Sequence, residues 1–445
     1  MANPKLMENH RMKRILSRIM EEFRTWELPE LAARDAYFPI VRGKATVITG
    51  MRRTGKTSLC YQKMKELLAG GVPRDRILHL NFDDDRLMRF TADDFQTILD
   101  VYYSEFPQNR DFLCYFFLDE IQNVPGWEHF VRRLIDREKV QVVLTGSSSK
   151  LLSDEIATCM RGRSVRGVVY PFSFAEFLLA DGVFETPPTR LSDRDISLLR
   201  NALRRYFTIG GFPEVQSVDE RTRHAILQEY IDLVIIDDVV ERHEVSNVQV
   251  LRHLLDTVLN NPSQKFSVSN FHKEMKDQLK LKCSLSDLYD FLKYLEDAYI
   301  LFRLKLHSRS VKKAQVNPAK VYPIDMGLVR AASRDPDANR GHLLENMVFL
   351  QMLREGWKMG YVVTEKGGHE VDFYATHPID KRKRLVQVSY EMPSSETLRR
   401  EVEALTQAGK ELGVDERLIV TWDDEGALDG GISVVPAWRF LLGLQ

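Results

Sequence analysis

The sequence predicts an α/β protein built around a parallel β-sheet, and three short runs of residues predict this class. Residues 45–49, 112–118 and 140–144 are rich in apolar side chains on both alternating faces. Such runs are typical of central parallel strands, which are buried on both sides. Each run gives way abruptly to glycine, acidic or small polar residues. In open α/β sheets, ligands bind beyond the carboxyl ends of the strands.

The first strand leads directly into a phosphate-loop motif. Residues 50–57 fit G-x-x-x-x-G-K-[ST], and a helix-forming segment follows. Glycines allow backbone N–H groups to turn inward around phosphate oxygens, and the helix N-terminus adds partial positive charge. We expect Lys56 to reach the β- and γ-phosphates of a nucleotide and Thr57 to contact Mg²⁺. The expected nucleotide-binding residues here are Gly50, Met51, Arg52, Arg53, Thr54, Gly55, Lys56, Thr57 and Ser58. A glycine-containing turn without a ligand is the alternative.

Polar residues follow the other two strands. Asp119 and Glu120 end the second, and Thr145 and Ser147 end the third. We expect Asp119 to hold Mg²⁺ in its outer shell and Glu120 to polarise the attacking water as a general base. The alternatives are an acidic cap on the next helix and, for the hydroxyls, ordinary helix capping.

Further motifs follow in order. The chain reads LDEIQ at 118–122, LTGSS at 144–148, PFSFAEFL at 171–178 and GGFPEV at 210–215. With the phosphate loop, these motifs resemble the AAA-type ATPases of bacteria and archaea that carry a C-terminal domain of unknown function. The resemblance continues to residue 328 and covers nearly the whole chain.

This resemblance implies ATP as the nucleotide and γ-phosphate sensing by Thr145 or Ser147. We also expect an arginine finger, and Arg161 and Arg163 are the candidates, in the same subunit or in trans. A surface charge or a structural salt bridge is the alternative for each arginine.

Five segments are predicted. They are an N-terminal helical arm (1–36), an AAA-type ATPase core (37–180), a helical lid (181–247), a winged-helix-like domain (248–334) and a C-terminal α/β domain (335–445). A helix–turn–helix–strand pattern at 266–304 indicates the winged helix, which either docks on DNA or only packs. Its second helix is acidic. The segment that carries Arg309, Lys312, Lys313 and Lys320 is basic and is either a phosphate contact or a solvated loop.

The C-terminal domain resembles the restriction-endonuclease-like PD-(D/E)xK fold. Glu345 lies on a predicted helix, Asp372 on a strand and Gln387 on the next strand. In that chemistry two carboxylates hold a divalent metal and a lysine activates the attacking water. Here Gln387 replaces an acid and Ser389 replaces the lysine, and Lys366 is the candidate substitute. The sequence therefore predicts a degenerate site that binds Mg²⁺ or Mn²⁺ weakly and cleaves little or nothing.

Composition bears on the partners, on zinc binding and on the compartment of the protein. The 445 residues have a net charge of −1, so no global charge favours nucleic acid or an anionic membrane. Four distant cysteines without a C-x-x-C pair predict no zinc site and a reducing compartment. No signal peptide or membrane span is apparent, so we expect a cytoplasmic protein.

The expected function is Mg²⁺-dependent ATP binding and hydrolysis, coupled to a DNA or protein partner through residues 248–445. Homo-oligomerisation stays open. Two alternatives remain: a nucleotide-switched binding or scaffolding protein with slow turnover, and an ATP-fuelled nuclease. ATP turnover stimulated by DNA favours a DNA-dependent motor or nuclease, whereas indifference to DNA favours the switch.

Overall fold

The computed structural model describes residues 4–146, 160, 162–184, 191–308, 310–333, 335, 340–392 and 395–444. The chain divides into two compact units, Met1–Val169 and Tyr170–Gln445. This division falls before the predicted end of the ATPase core at residue 180. The five predicted segment boundaries stay predictions.

The first unit contains a parallel five-stranded sheet in the order β2-β3-β4-β1-β5, which confirms the predicted fold class. Its elements are α1 (Pro4–Thr25), β1 (Ala45–Thr49), α2 (Lys56–Ala69), β2 (Ile77–Asn81), α3 (Phe95–Glu105), β3 (Cys114–Asp119), α4 (Trp127–Arg137), β4 (Val140–Thr145) and β5 (Ser164–Val168).

Successive side chains of the central strands point to opposite faces of the sheet, and both faces are covered by an apolar layer. Phe116 and Leu118 of β3 join a core with residues of α1, α3 and α4. Phe117 points to the opposite face, where it packs with Leu59 and Met64 of α2. Because the sheet is covered on both faces, only its edges and strand ends are accessible to ligands.

The predicted N-terminal helix is too long. Helix α1 ends at Thr25, and residues 26–41 form no regular helix or strand, so the expected helix is wrong for residues 26–36, whereas the segment boundary at residue 36 stays a prediction. Pro29 accounts for the difference, because proline disfavours the helical conformation of the residue before it and removes a backbone donor.

The second unit begins with helices and continues with two sheets. Its helices are α5 (Phe174–Ala180), α6 (Asp193–Ile209), α7 (Glu220–Leu233), a π-helix (Val234–Val240), α8 (Glu241–His243), α9 (Val248–Asn260), α10 (Val268–Asp277), α11 (Leu285–Asp297), α12 (Val311–Val316), α13 (Met326–Ala332), α14 (Arg340–Arg354), α15 (Ser395–Leu412) and α16 (Ala437–Leu441). Its strands are β6 (Lys265–Phe266), β7 (Leu301–Leu304), β8 (Ala319–Pro323), β9 (Lys358–Val363), β10 (Glu370–Thr376), β11 (Lys383–Ser389), β12 (Glu416–Thr421), β13 (Gly426–Leu428) and β14 (Ile432–Pro436).

The two sheets differ in pattern. The smaller sheet is antiparallel in the order β6-β8-β7, with α9, α10 and α11 preceding or connecting its strands. The larger sheet has the order β13-β14-β12-β11-β10-β9. It is antiparallel from β9 to β11 and parallel across β11, β12 and β14. Within the described residues, no helix is long and apolar enough to cross a membrane.

Two of the sequence motifs meet the segment 325–328 at one buried junction in this unit. Asp325 accepts hydrogen bonds from the backbone N–H groups of Gly327 (2.8 Å) and Gly211 (2.6 Å). The N–H of Phe172 donates to the carbonyl of Gly211 at 2.6 Å. A Cβ at Gly211 or Gly327 would overlap a backbone carbonyl oxygen, so both positions exclude larger residues. The motifs PFSFAEFL and GGFPEV therefore have a structural role here.

Candidate active site

The phosphate-loop segment connects β1 to α2 at the carboxyl edge of the parallel sheet. Gly50 and Gly55 have φ angles of 147° and 92°, and Arg53 has a φ of 64°. Gly50 also tolerates no side chain, because a Cβ there would overlap the carbonyl oxygen of Val169. Alternating left-handed and right-handed residues are the backbone pattern that turns N–H groups toward an anion. The positive φ angles of this loop fit such a pattern, and phosphate binding stays a prediction.

Lys56 lies at the N-terminus of α2 and is buried. Its Nζ donates to the carbonyl oxygens of Gly50 at 3.2 Å and Met51 at 3.0 Å. The loop is closed further by the hydroxyl of Thr54, which donates to the Met51 carbonyl at 2.9 Å. The ammonium is thus held at the loop that would surround a phosphate. Ser58 and Arg52 are half-buried and Arg53 is exposed.

Thr57 and Asp119 come together from different elements. The Thr57 hydroxyl donates to Oδ2 of Asp119 at 2.8 Å. Asp119 is buried at the end of β3, and Nε2 of His79 lies 4.0 Å from the same Oδ2. A hydroxyl and a carboxylate are hard oxygen ligands of the type that Mg²⁺ prefers, so this pair fits that ion. The predicted approach of Thr57 and Asp119 is what the fold produces.

Thr145 connects the two acidic residues. Its hydroxyl donates to Oδ1 of Asp119 and accepts from the backbone N–H of Glu120 at 3.3 Å. Glu120 has a left-handed backbone with φ 50°. Its carboxylate accepts a hydrogen bond from the side-chain amide of Gln122. Thr145 therefore orients Asp119 and Glu120, whereas its contact with a γ-phosphate stays a prediction. Ser147 and Arg161 lie outside the described residues.

Arg163 lies at the amino-terminal ends of the parallel strands, whereas the phosphate loop lies at their carboxyl ends. It directly precedes β5, and its carbonyl accepts from the N–H of Ala45 at the start of β1. A five-residue strand spans roughly 16 Å, which separates Arg163 from the loop of its own subunit. Its guanidinium instead donates to Asp136 at 2.8 Å. A finger acting in cis is therefore wrong for Arg163, and the version in trans stays a prediction.

Two contacts at the site were missed by the sequence analysis. The buried Arg34 donates from Nη1 to the carbonyl of Thr54 at 2.6 Å. Gln62 of α2 holds the backbone of Arg34 through bonds of 2.8 and 3.1 Å. The irregular segment after α1 is thereby fastened to the phosphate loop. No local motif marks Arg34, because its partner lies 20 residues away.

The residues predicted for a second, nuclease-like site also come together. Glu345 lies on α14, Asp372 on β10 and Gln387 on β11. The backbone N–H of Asp372 donates to Oε1 of Gln387 at 3.2 Å, so that amide oxygen already has a partner. Ser389 donates its hydroxyl to the carbonyl of Glu391 at 2.7 Å.

A lysine does contact these acids, but it is Lys320 of β8 and not the Lys366 considered from sequence. Its Nζ lies 3.0 Å from Glu345 and 2.9 Å from Asp372. Burial and the neighbouring Glu345 raise the pKa of Asp372 to about 7, against the opposing effect of Lys320. Burial lowers the pKa of Lys320, but the nearby carboxylates outweigh it and raise that pKa. Lys320 is therefore charged in the folded protein.

The fold and the first of these sites together define an AAA-type P-loop domain. A family model described as an AAA domain matches residues 42–178, and a domain of unknown function (DUF8612) matches residues 200–339. The chain is 34% identical over 426 residues to the "Uncharacterized protein MJ1544" of Methanocaldococcus jannaschii, covering 92% of this chain and 90% of that protein. The chain belongs to the same family as this archaeal protein.

Other similarities are weaker. An "Uncharacterized protein" of Haemophilus influenzae is 31% identical over 350 residues, which cover 78% of this chain and 83% of that protein. Among solved structures, the Aeropyrum pernix ORC1 protein in complex with DNA is 16% identical with a TM-score of 0.28, covering 74% of this chain and 93% of that one. The Aeropyrum pernix ORC2 protein is 12% identical with a TM-score of 0.36, covering 77% and 94%. These scores are too low to transfer structural detail.

Proposed function

We propose that the protein binds Mg²⁺-ATP at residues 50–58 and hydrolyses it. The observation that carries this proposal is the hydrogen bond between Thr57 and Asp119 at the phosphate loop, beside the buried Lys56. A hydroxyl, a carboxylate and an ammonium are the groups that P-loop enzymes use to hold a nucleotide and its metal. When bound, Mg²⁺ would neutralise charge on the β- and γ-phosphates.

The residues of the chain have separate roles in this proposal. Lys56 exchanges its two carbonyl partners for phosphate oxygens and neutralises their charge. Glu120 accepts a proton from the attacking water. The side-chain amide of Gln122 already lies on the Glu120 carboxylate, so it orients the carboxylate. Thr145 keeps Asp119 and Glu120 in fixed relation, which is the positioning on which phosphoryl transfer depends.

The test separates binding from turnover. Lys56→Ala should abolish tight ATP binding, measured by calorimetry. Glu120→Gln should bind ATP normally but release phosphate about 10²–10⁴ times more slowly, the usual range for a lost general base. Lys63→Ala is the matched control, because Lys63 lies on the same helix and pairs with Glu66 near the surface. Wild-type turnover by Glu120→Gln would refute its role as the base.

Nucleotide choice is a separate measurement. ATP is proposed over GTP because of the family resemblance, since no guanine-reading N-K-x-D tetrad is apparent in the sequence. Displacement of a fluorescent ATP analogue by unlabelled ATP and GTP tests this choice. Equal displacement by GTP would contradict it.

A finger in trans requires an oligomer. We propose that Arg163 reaches a neighbouring subunit, since it lies far from its own phosphate loop. Arg163→Ala should then bind ATP normally and turn over about 10³–10⁵ times more slowly. Mixing it with Glu120→Gln should restore some activity, because one site in a mixed oligomer keeps both groups. Absence of rescue, with a monomeric mass in ATP, would refute the proposal.

A second function concerns residues 248–324, which we propose form a winged helix that binds duplex DNA. The order of helices and strands and the small antiparallel sheet support the winged helix. The charge of this segment supports binding to DNA. This segment carries 13 lysines and arginines against seven aspartates and glutamates, a net charge of +6 in a chain whose net charge is −1.

Three of the basic groups lie together near the end of α10 and in the segment before α11. An open cleft of about 750 Å³ is lined there by the exposed lysines Lys276, Lys280 and Lys282, together with Asp287. The exposed face of α11, however, carries Asp287 and Asp290. Because carboxylates repel phosphates and favour few base edges, we propose contact with the DNA backbone and no sequence-specific insertion of α11.

Salt dependence tests this second function. Replacing Lys276, Lys280 and Lys282 by Gln should weaken binding of labelled duplex DNA. It should also reduce the slope of log K against log salt by about 3, since each lost phosphate contact removes roughly 0.9. The control triple replaces exposed lysines elsewhere: Lys358, Lys366 and Lys410. Equal effects of both triples would refute a specific surface.

The effect of DNA on ATP turnover distinguishes two ways in which the phosphate-loop site and the DNA-binding surface are coupled. Stimulation that the cleft triple abolishes would favour a DNA-dependent motor. Turnover indifferent to DNA would favour a nucleotide-switched binding protein, whose partner is then a protein.

A further inference from the structure

Four buried side chains and the half-buried Glu370 form a polar cluster in the second unit, outside the phosphate-loop site. We call it the Lys320 cluster, and its members are Lys320, Tyr322, Glu345, Glu370 and Asp372. Nζ of Lys320 lies 3.0 Å from Glu345, 3.1 Å from Glu370 and 2.9 Å from Asp372. Lys320, Glu345 and Asp372 are only 5%, 6% and 7% exposed.

Carboxylates surround the lysine. Its Nζ donates hydrogen bonds to Glu345 and Asp372, and the Glu370 carboxylate lies at ion-pair distance. The phenol of Tyr322 donates to the same Glu345 oxygen at 2.7 Å. The second oxygen of Asp372 accepts the backbone N–H of Val388 at 3.0 Å. The carboxylates are thus arranged around an internal cation.

The remaining oxygen of Glu370 also has a cationic partner, Lys265 of β6. Within the described residues, no three histidine, cysteine or acidic side chains are placed to hold a metal ion. The point on which the three carboxylates converge is occupied by the Lys320 ammonium.

We propose that Lys320 is a permanent internal cation that closes this cluster to divalent metals, so that the C-terminal domain does not cleave phosphodiesters. The same ammonium joins β8 of the small sheet to β10 and α14 of the C-terminal domain. The cluster is a lock between these two parts of the second unit.

The competing role for Lys320 is activation of a water for cleavage. That role needs an ammonium hydrogen directed at the water and a metal beside it. Here the ammonium donates to Glu345 and Asp372 and pairs with Glu370, and the amide oxygen of Gln387 is bound to the Asp372 N–H. The ammonium itself is also buried with Glu345 and Asp372, so it is not a surface contact for a polynucleotide phosphate. The observations therefore favour the lock.

Manganese binding by the full-length protein is the main test. Lys320→Met removes the charge and keeps most of the aliphatic chain. We expect it to bind one Mn²⁺ more per chain than the wild type in calorimetry, because three carboxylates then lack their central cation. Lys265→Met is the matched control, because Lys265 touches the same Glu370 but is 39% exposed. It should bind Mn²⁺ as the wild type does.

Thermal unfolding gives a second readout. Breaking a buried ion network by removing one partner should lower the midpoint of the second unit by roughly 6–20 °C. Mn²⁺ should recover part of this loss in Lys320→Met and none in the wild type. If Lys320→Met does not fold, Lys320→Met with Asp372→Asn should fold, because one buried carboxylate has been neutralised.

Three results would overturn the lock. One is an unchanged Mn²⁺ stoichiometry in a folded Lys320→Met protein. Another is failure of the double variant to fold. The third is nicking of supercoiled DNA in Mn²⁺ by the wild type that disappears in Asp372→Asn, since a closed cluster does not cleave.

Discussion

Replacement of Asp325 by Asn tests how the GGFPEV segment is held in place. In the wild type, Oδ1 of Asp325 accepts from Gly327 at 2.8 Å and Leu328 at 3.3 Å, which caps α13. Oδ2 accepts from Gly211 at 2.6 Å. Asparagine keeps the capping oxygen but presents an NH₂ group to Gly211, so one buried N–H loses its acceptor. The variant therefore isolates a single hydrogen bond.

The size of the effect follows from burial. An unsatisfied buried N–H costs about 1–3 kcal/mol, which corresponds to roughly a 5- to 150-fold faster exchange of that amide. Asp325→Ala loses the cap as well, which adds about 1 kcal/mol. Hydrogen exchange measured by mass spectrometry should show faster exchange at 209–213 in Asp325→Asn, with 326–330 still protected. Asp325→Ala should expose both segments.

The stability that Asp325 contributes falls as the pH rises. Burial raises the pKa of Asp325 to about 6 from an ordinary 3.8, against three backbone N–H groups and Arg354. The folded state binds this proton more tightly, so the stabilisation is full below pH 4 and is lost as pH rises through 6. The difference in unfolding free energy between wild type and Asp325→Asn should fall by about 2 kcal/mol from pH 4.5 to pH 7.5.

A matched cap elsewhere provides the control. Asp219 caps α7 through Thr222 at 3.1 Å but is fully exposed. Asp219→Asn should leave exchange at 209–213 unchanged at every pH. Wild-type exchange at 209–213 in Asp325→Asn would refute the assigned role of the Gly211 bond. A difference in unfolding free energy that rises with pH would refute the assigned pKa.

Other expectations concern the phosphate loop. Gly50→Ala should abolish nucleotide binding in calorimetry, because its Cβ overlaps the Val169 carbonyl. Gly162→Ala is the control, because a Cβ there meets nothing within 4 Å. It should lower the free energy of unfolding by only about 1–2 kcal/mol, measured in a thermal melt. Thr145→Val should slow phosphate release about 5- to 150-fold and leave ADP affinity within twofold, since only the orientation of the acids is lost. Arg34→Ala should weaken ATP binding about 10-fold or more, because a charged hydrogen bond to the loop disappears. Unchanged affinity in Arg34→Ala would contradict that contact.

Local and periodic features were readable from the sequence. The phosphate loop is contiguous, so its glycines, Lys56 and Thr57 are recognised from a run of eight residues. The continuous apolar runs of β3 and β4 predicted central parallel strands, with Asp119 at the carboxyl end of β3. Parallel strands bring that end to the same side of the sheet as the loop after β1. The pairing of Thr57 with Asp119 therefore followed from pattern alone.

The tertiary structure decided what depends on contacts between distant residues. Arg34 reaches the phosphate loop from an irregular segment that carries no periodicity. Arg163 directly follows Gly162 and was a finger candidate, yet the parallel pairing of β5 with β1 places it at the amino-terminal end of the strands, away from the phosphate loop. Lys320 lies 25 residues before Glu345 and 52 before Asp372. Charges meet in three dimensions through strand pairing and packing, so no spacing rule in the sequence identifies which lysine fills the acidic cluster.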